Sequence, residues 1–512
     1  MVNVEEERKY DLDAGIGLPD LTGCLPAGGR VLARPAVTLR ATYFDTADLR
    51  LARAGVSLRH RRGDPKPWTV KLPTPTVGIR HEISRPGPAG TIPDELVALL
   101  IAYHRGAPLQ PSATLRTVRA VQQLRDADDQ LLVEVCDDTV TVLDGRRTRA
   151  SFREIEVERH AGRRRLLDRV GACLLDAGAV AGAFTAKHLR ALGTAATEPP
   201  ELPEPGTLPP RPRAGAVVTR ALRAAIARIV EHDPLVRLRE PLPGGDTPVH
   251  QMRVGCRRLR SDLRSFAPLL EPQWADPLRA ELDWVAGVLG AARDAEVLRE
   301  RLRATATADP LAPLDAAAVA RMDADLAARH EEALQAVDDA LRSPRYLALL
   351  EQLHSAARTP RLTAAARRSA QRVLPALVAA PWWQLVQGAR DVRPAGRLNL
   401  GAPDEVWHAV RVRAKRARYA ADAVASVIGG AAPGFARSLA GVQALLGEHQ
   451  DAAVAAETWL AIARADPDDH ALAVTAGRLF ERERTAIRAT RFAFPAVWSA
   501  ATRRGLTDWL PR

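Results

Sequence analysis

The chain has 512 residues, 46% hydrophobic, 26% charged and 4% aromatic, with a formal net charge of +12 and a pI near 10.2. That length allows two or more domains with real cores, and the charge favours a polyanionic partner. So few aromatics disfavour single-stranded nucleic acid, which stacks its bases on rings set between the cations. No run reaches the length of a membrane span, and Met-Val-Asn-Val-Glu-Glu-Glu-Arg-Lys at the start lacks the apolar stretch of a signal peptide. Cys24, Cys136, Cys173 and Cys256 share no metal-ligand spacing, so reduced core thiols in a cytosolic protein are expected.

Residues 1–193 alternate with the period of a strand. Glu5, Glu7 and Lys9 share a face, as do Arg59 and Arg61, Thr69 and Lys71, and Arg80 and Glu82. Glu154, Glu156 and Glu158 share another, with Ile155 and Val157 opposite. The organised face is charged and the other apolar, which inverts a half-buried sheet. An antiparallel β-barrel with a charged lumen solves this, its apolar outside lying under helices such as one around Arg164 to Ala177.

The same stretch carries an ordered set of motifs. It opens with Glu5-Glu6-Glu7-Arg8-Lys9, Arg40, Thr42-Tyr43-Phe44-Asp45-Thr46 and Ser57-Leu58-Arg59. Trp68-Thr69-Val70-Lys71-Leu72-Pro73, Arg80-x-Glu82, Arg116, Arg119 and Glu134 follow. Arg153-Glu154-Ile155-Glu156-Val157-Glu158 and Lys187-His188-Leu189-Arg190-Ala191-Leu192 complete it. This order resembles the CYTH family, the triphosphate tunnel metalloenzymes. Ala186 departs from the family's usual Ser, and Val121 and Gln123 stand where relatives are often basic.

The resemblance implies an inorganic triphosphatase, with Glu5, Glu7 and Lys9 in catalysis. Arg40, Arg59, Arg61, Lys71, Arg80, Arg119 and Lys187 would bind substrate. Glu5, Glu7, Glu154, Glu156 and Glu158 would hold the metal, with Glu82 and Glu134 as further acids of the tunnel. Physical chemistry agrees: the cations can neutralise a linear triphosphate, which the carboxylates would repel unless they held an ion. Such hard oxygen ligands suit Mg²⁺ or Mn²⁺. The plainer alternative, a barrel of internal ion pairs, is costly without a ligand.

Residues 194–213 are rich in proline and read as an extended linker. From 214 to 512 the period is helical, with Pro234, Pro248, Pro268, Pro272, Pro310 and Pro360 expected to break the runs. His250, Arg253, Arg257, Arg260 and Arg264 fall within about 80° on a helical wheel, with Met252, Leu259, Leu263 and Phe266 nearly opposite. His408, Arg411, Lys415, Arg416 and Arg418 repeat His250, Arg253, Arg257, Arg258 and Arg260 at constant offset. Leu289-Gly290-Ala291-Ala292-Arg293-Asp294 is echoed by Leu446-Gly447-Glu448-His449-Gln450-Asp451. This is an internal duplication.

The two His-led helices with their Leu-Gly-x-x-x-Asp partners resemble the CHAD family, the conserved-histidine α-helical domain. The resemblance implies an all-α domain of two pseudo-symmetric four-helix bundles that binds inorganic polyphosphate. His250, Arg253, Arg257, Arg258, Arg260, Arg264, Arg293, His408, Arg411, Lys415, Arg416 and Arg418 are the expected contacts. Asp294 and Asp451 are read as orienting nearby arginines, and the histidines as phosphate ligands without a catalytic role.

The leading expectation is therefore hydrolysis of tripolyphosphate in the barrel, with long-chain polyphosphate held by the helices. The alternative is a non-catalytic polyphosphate-binding scaffold on cytoplasmic granules, and a basic nucleic-acid binder is a third, weaker reading.

Overall fold

The computed structural model describes residues 3–13, 15–74, 76–182, 186–242 and 245–511. The chain forms two compact units, Met1–Glu201 and Leu202–Arg512.

Among the described residues the first unit has nine strands. β1 (Asn3–Asp11), β2 (Arg30–Asp45), β3 (Ser57–Arg61), β4 (Trp68–Pro73) and β5 (Ile79–Arg85) precede β6 (Gln110–Arg125), β7 (Leu131–Asp144), β8 (Arg147–Arg159) and β9 (Val180–Ala181). The short helices α1 (Arg50–Arg53), α2 (Asp94–Leu99) and α3 (Ile101–His104) fill connections, while α4 (Arg164–Asp176) and α5 (Lys187–Leu192) follow β8. The strands run β5-β4-β3-β2-β6-β7-β8-β1-β9, all pairs antiparallel, and β5 also pairs with β1. That last pairing closes a ring of eight strands, with β9 attached to the end of β1.

Alternation sorts every strand. On β1, Glu5, Glu7 and Lys9 face the lumen, while Tyr10 faces an outer core with Val133, Val135, Ile155, Val157, Leu167 and Val170. α4 seals that core. It is fixed to the outer face of β1 by Glu6–Arg164 at 2.7 Å and Arg8–Asp168 at 2.5 Å. The approach is close enough that a Cβ on Gly171 would lie 2.2 Å from the Tyr10 hydroxyl, so this position admits only glycine. The apolar face of α4 thus converts the outside of a charged barrel into a second core.

The second unit is helical: α6 (Ala214–Leu238), α7 (Pro248–Ser265), α8 (Pro272–Ala306), α9 (Ala316–Arg342) and α10 (Pro344–Arg358), then α11 (Ala370–Val392), α12 (Asp404–Ile428), α13 (Ala432–Ala465), α14 (His470–Ala501) and α15 (Arg504–Thr507). α6 to α9 pack in succession, as do α11 to α14, and α7 meets α12. These are two pseudo-symmetric bundles. Thr247 accepts from the His250 amide at 3.3 Å, with Pro248 in the first turn, so α7 starts at its cap. Met252, Leu259, Leu263 and Phe266 are buried, as the wheel requires. No helix among the described residues is long and apolar enough to cross a membrane.

One expectation needs correction. Pro234 does not break a helix: it lies inside α6, buried near its C-terminal end, where packing against the bundle holds the turn. The residues read as an extended linker are held down on both sides. Arg53 donates to the Pro199 carbonyl and Arg105 pairs with Glu201 in the first unit. Arg220 donates to the Gly206 carbonyl and the Ala370 amide to that of Pro212 in the second.

Candidate functional site

The barrel lumen is a cavity of about 250 Å³ lined by Glu5, Glu7, Lys9, Tyr43, Ser57, Arg59, Arg61, Lys71, Arg80, Glu82, Arg119, Glu134, Glu156, Glu158, Ala186, Lys187 and His188. The strand order makes it polar in cross-section. β3, β4, β5 and β6 contribute Arg59, Arg61, Lys71, Arg80 and Arg119, while β1, β8 and β7 contribute Glu5, Glu7, Glu156, Glu158 and Glu134.

The acids fall into two groups. Glu156 and Glu154 are saturated with cations: Lys9 lies 2.5 and 3.2 Å from them, Lys187 2.6 and 3.2 Å, and Arg119 2.9 Å from Glu156. Burial opposes ionisation of Glu156, but Lys187, Lys9 and Arg119 outweigh it and hold the carboxyl well below its usual range. Burial likewise opposes the charge on Lys9, and Glu156, Glu7 and Glu154 outweigh it in turn, raising its pKa. Glu154 is 2% exposed and, though it pairs with Lys9 and Lys187, does not itself line the cavity.

The second group is a row across three strands. Glu7 stands opposite Glu158, and Glu158 opposite Glu134. Like charges so placed repel. The nearest cation to Glu7 is Lys9 at 3.7 Å, and Glu158 has His160 at 4.0 Å. Burial and then the Glu5, Glu134 and Glu82 carboxylates push Glu158 up to about 7. No three His, Cys, Asp or Glu side chains among the described residues converge to metal-ligand geometry. The donor chemistry nonetheless fits a hard divalent cation: adjacent carboxylate oxygens, under-neutralised and partly desolvated. Glu5 and Glu82 lie beside the row but share Lys71.

Arg40 does not join the lumen. Tyr43 faces inward on β2, so Arg40, an odd number of residues away, is exposed on the outer face opposite Arg116. Three inward residues were not anticipated. Asp138 is fully buried and accepts both Nε and an Nη of Arg119 at 2.8 and 2.6 Å, with Lys187 at 2.8 Å. Its signal was the alternation Glu134-Cys136-Asp138 beside the glutamate strand. Tyr43 stacks on His188 at 4.8 Å, and burial, then Arg80, Lys9 and Arg59, hold that imidazole down at about 3 and therefore neutral. Asp45 of the same motif is structural: it accepts the Thr46, Leu51 and Ala52 amides and so caps α1.

In the second unit α7 and α12 bring Arg253, Arg257, Arg411 and Lys415 together. Burial first, then Arg257, Arg293 and Arg411, lower the pKa of Arg253, and Asp294 at 3.4 Å only partly offsets them. Arg411 is lowered by burial and by Arg257, against Asp451. Lys415 falls to about 8 through burial, Arg411, Arg257, Arg253 and Arg260. His250 borders this cluster and is lowered by burial and by Arg293, Arg257 and Arg253. His408 is exposed, its Nδ1 2.5 Å from Gln450.

The other expected contacts are spent elsewhere. Arg260 pairs with Asp283, and Arg293 with Glu296 at 2.8 Å. Arg258 pairs with Asp262 at 3.1 Å and Arg418 with Asp422 at 3.3 Å, in a cavity of about 500 Å³ between α6, α7 and α12 that Arg257 also lines. Arg264 and Arg416 are exposed.

The CYTH domain model matches residues 4–189 and the CHAD domain model residues 220–460. Two uncharacterized proteins of Mycobacterium tuberculosis are each 32% identical over 507 residues, covering 94% of this chain and 93% of theirs. Among solved structures, PptA from Streptomyces chartreusis is 26% identical, covering 56% of this chain and 99% of its own, with a TM-score of 0.46. The CHAD domain from the plant Ricinus communis is 25% identical, covering 57% and 95%, with a TM-score of 0.42.

Proposed function

The chain belongs to the family of proteins in which a CYTH domain is followed by a CHAD domain, and from that premise we propose that it is a metal-dependent inorganic triphosphatase whose helical unit binds inorganic polyphosphate. CYTH domains are triphosphate tunnel enzymes, so a triphosphate-directed reaction follows from membership.

The observation that supports this substrate best is the division of the lumen into a basic arc and an acid row. A linear triphosphate along the arc would meet the guanidinium forks of Arg59, Arg61, Arg80 and Arg119, which suit phosphate oxygens. A cavity of about 250 Å³ favours a bare inorganic chain over one carrying a nucleoside. Glu7, Glu158 and Glu134, with Glu5 and Glu82 beside them, would hold Mg²⁺ or Mn²⁺, which when bound polarises phosphoryl oxygens and acidifies water. Lys187, Lys9 and Arg119 keep Glu156 ionised, and their ion pairs fix Glu154 and Asp138 in place, so the cavity wall need not reorganise as charge moves. Tyr43 and neutral His188 occupy volume that water would otherwise fill. Little covalent chemistry is asked of these groups, because positioning and charge compensation carry phosphoryl transfer.

On the helices, Arg253, Arg257, Arg411 and Lys415 are mutually repelling cations, and a polyanion would relieve the depressed pKa values of Arg253, Arg411 and Lys415.

The deciding experiment is phosphate release from tripolyphosphate by the full-length protein with Mg²⁺ or Mn²⁺. Release that needs the ion supports the reading. No release with either ion, from a folded protein that still binds long-chain polyphosphate, would leave the scaffold alternative.

A further inference from the structure

Cys24 and Cys173 are 149 positions apart in sequence and adjacent in the first unit, with their Sγ atoms 2.9 Å apart. Cys24 ends the 3₁₀ turn Thr22–Cys24, and Cys173 lies on α4, which packs on that turn and on β8. The Cys24 thiol also donates to the Arg169 carbonyl at 3.6 Å, which fixes its direction. Both are free thiols; Cys24 is buried and Cys173 partly exposed. Neither touches the lumen: the pair sits in the outer core between α4 and the barrel wall. The other two cysteines lie elsewhere, Cys136 on β7 and Cys256 on α7.

We propose that Cys24 and Cys173 form an oxidative modification site, a reversible disulfide that fastens the N-terminal turn to α4 when a peroxide is present. Cys173, the more exposed thiol, meets the oxidant first. Its sulfur attacks one peroxide oxygen, the O–O bond breaks, and a sulfenic acid and one water result. The Cys24 sulfur then attacks the Cys173 sulfur; the S–O bond breaks, and hydroxide leaves with the Cys24 proton as a second water. Two thiols and one hydrogen peroxide thus give one disulfide and two waters.

Burial and then the Cys173 thiol push Cys24 up to about 12, so Cys24 rests as a thiol and acts only after its neighbour has changed. The chain between the two positions runs through β2 to β8, most of the barrel. A bond there restricts the unfolded chain strongly. It also ties down the helix that Glu6 and Arg8 dock onto β1, the strand that carries Glu5, Glu7 and Lys9.

The test uses the reduced full-length protein, treated with equimolar hydrogen peroxide, alkylated and digested. A linked Cys24–Cys173 peptide should appear, with a mass loss of about 2 Da, while Cys136 and Cys256 remain alkylated. The melting midpoint of the first unit should rise by about 5–15 °C and return on adding dithiothreitol. Cys24→Ser and Cys173→Ser should each abolish the linked peptide and the shift. The Cys173 variant, at the more exposed position, keeps the test sound where the buried one unfolds. Absence of the linked peptide in the native protein, or a midpoint shift that persists in Cys173→Ser, overturns the proposal.

Discussion

Lys415 gives the sharpest test of the helical site. Its pKa falls from 10.5 to about 8 through burial, then Arg411, Arg257, Arg253 and Arg260, with Asp294 and Asp451 beside those arginines as the opposing charges. A shift of that size disfavours the ammonium by at most about 3 kcal/mol. Solvent screening of a half-buried side chain reduces it to roughly 2 kcal/mol. The folded value lies below the unfolded one, so the cost is present in full below about 8, and the free unit should gain stability as pH rises from about 8 to 10.5. A bound polyphosphate supplies the missing counter-charge and returns the lysine towards its ordinary value, so binding above pH 8 takes up a proton. Affinity should then fall roughly tenfold between pH 7 and pH 9. The assay is calorimetric titration of long-chain polyphosphate at fixed ionic strength, in buffers of different ionisation enthalpy, so that the proton is counted. Lys415→Arg should keep the affinity at pH 7 and flatten the fall. A wild type with no fall, or an arginine variant with the same fall, refutes the assignment.

Three further outcomes are expected. Glu7→Gln should lower phosphate release from tripolyphosphate about a hundredfold or more at saturating metal, with an unchanged melting midpoint; near-normal turnover would remove Glu7 from the metal site. Asp138→Asn leaves the buried ends of Arg119 and Lys187 short of their counter-charge and should cost about 3–5 kcal/mol in urea unfolding of the first unit; a loss under about 1 kcal/mol would show that the network is not cohesive. Replacing Arg253 and Arg257 together with Glu should weaken long-chain polyphosphate far more than tripolyphosphate in a binding titration and leave tripolyphosphate hydrolysis nearly unchanged; loss of hydrolysis would contradict a division of labour between the units.

Strand alternation was legible because the lumen inverts polarity: Glu5, Glu7 and Lys9 announce their shared face, and the register then aligns Glu158 and Glu134 with them. Arg40 shows the limit of a motif. Arg40-Ala41-Thr42-Tyr43 has too little contrast between its faces to reveal which points inward, and pairing with β3 and β6 decides it. Asp138 was obscured by Asp137 beside it, because two adjacent acids hide an alternation; Asp137 faces outward to Arg153 at 2.7 Å. The duplicated helices were readable from spacing alone. What spacing could not give was the set of acids that reach in from other helices, such as Asp283 to Arg260 and Asp422 to Arg418. These narrow twelve expected contacts to the few cations that remain mutually opposed.

The closure of the ring through β1 has a consequence for how the protein is made. β1 is made before the other strands of the barrel, yet its partners are residues 79–82 on one side and 155–159 on the other. Local hairpins such as β3–β4 and β6–β7 can form as they appear and β1 can meet β5, but the ring closes only when β8 follows, roughly 150 residues after β1 and about 8–30 s later at ordinary rates of synthesis. The closed lumen is therefore the last part of the barrel to exist, and a chain interrupted before β8 has Glu7 and Glu134 but lacks Glu158, the acid that stands between them. Long-range closure of this kind is slow, and during the wait the edges of β1 and β7 that β8 will cover are open to strands of other chains.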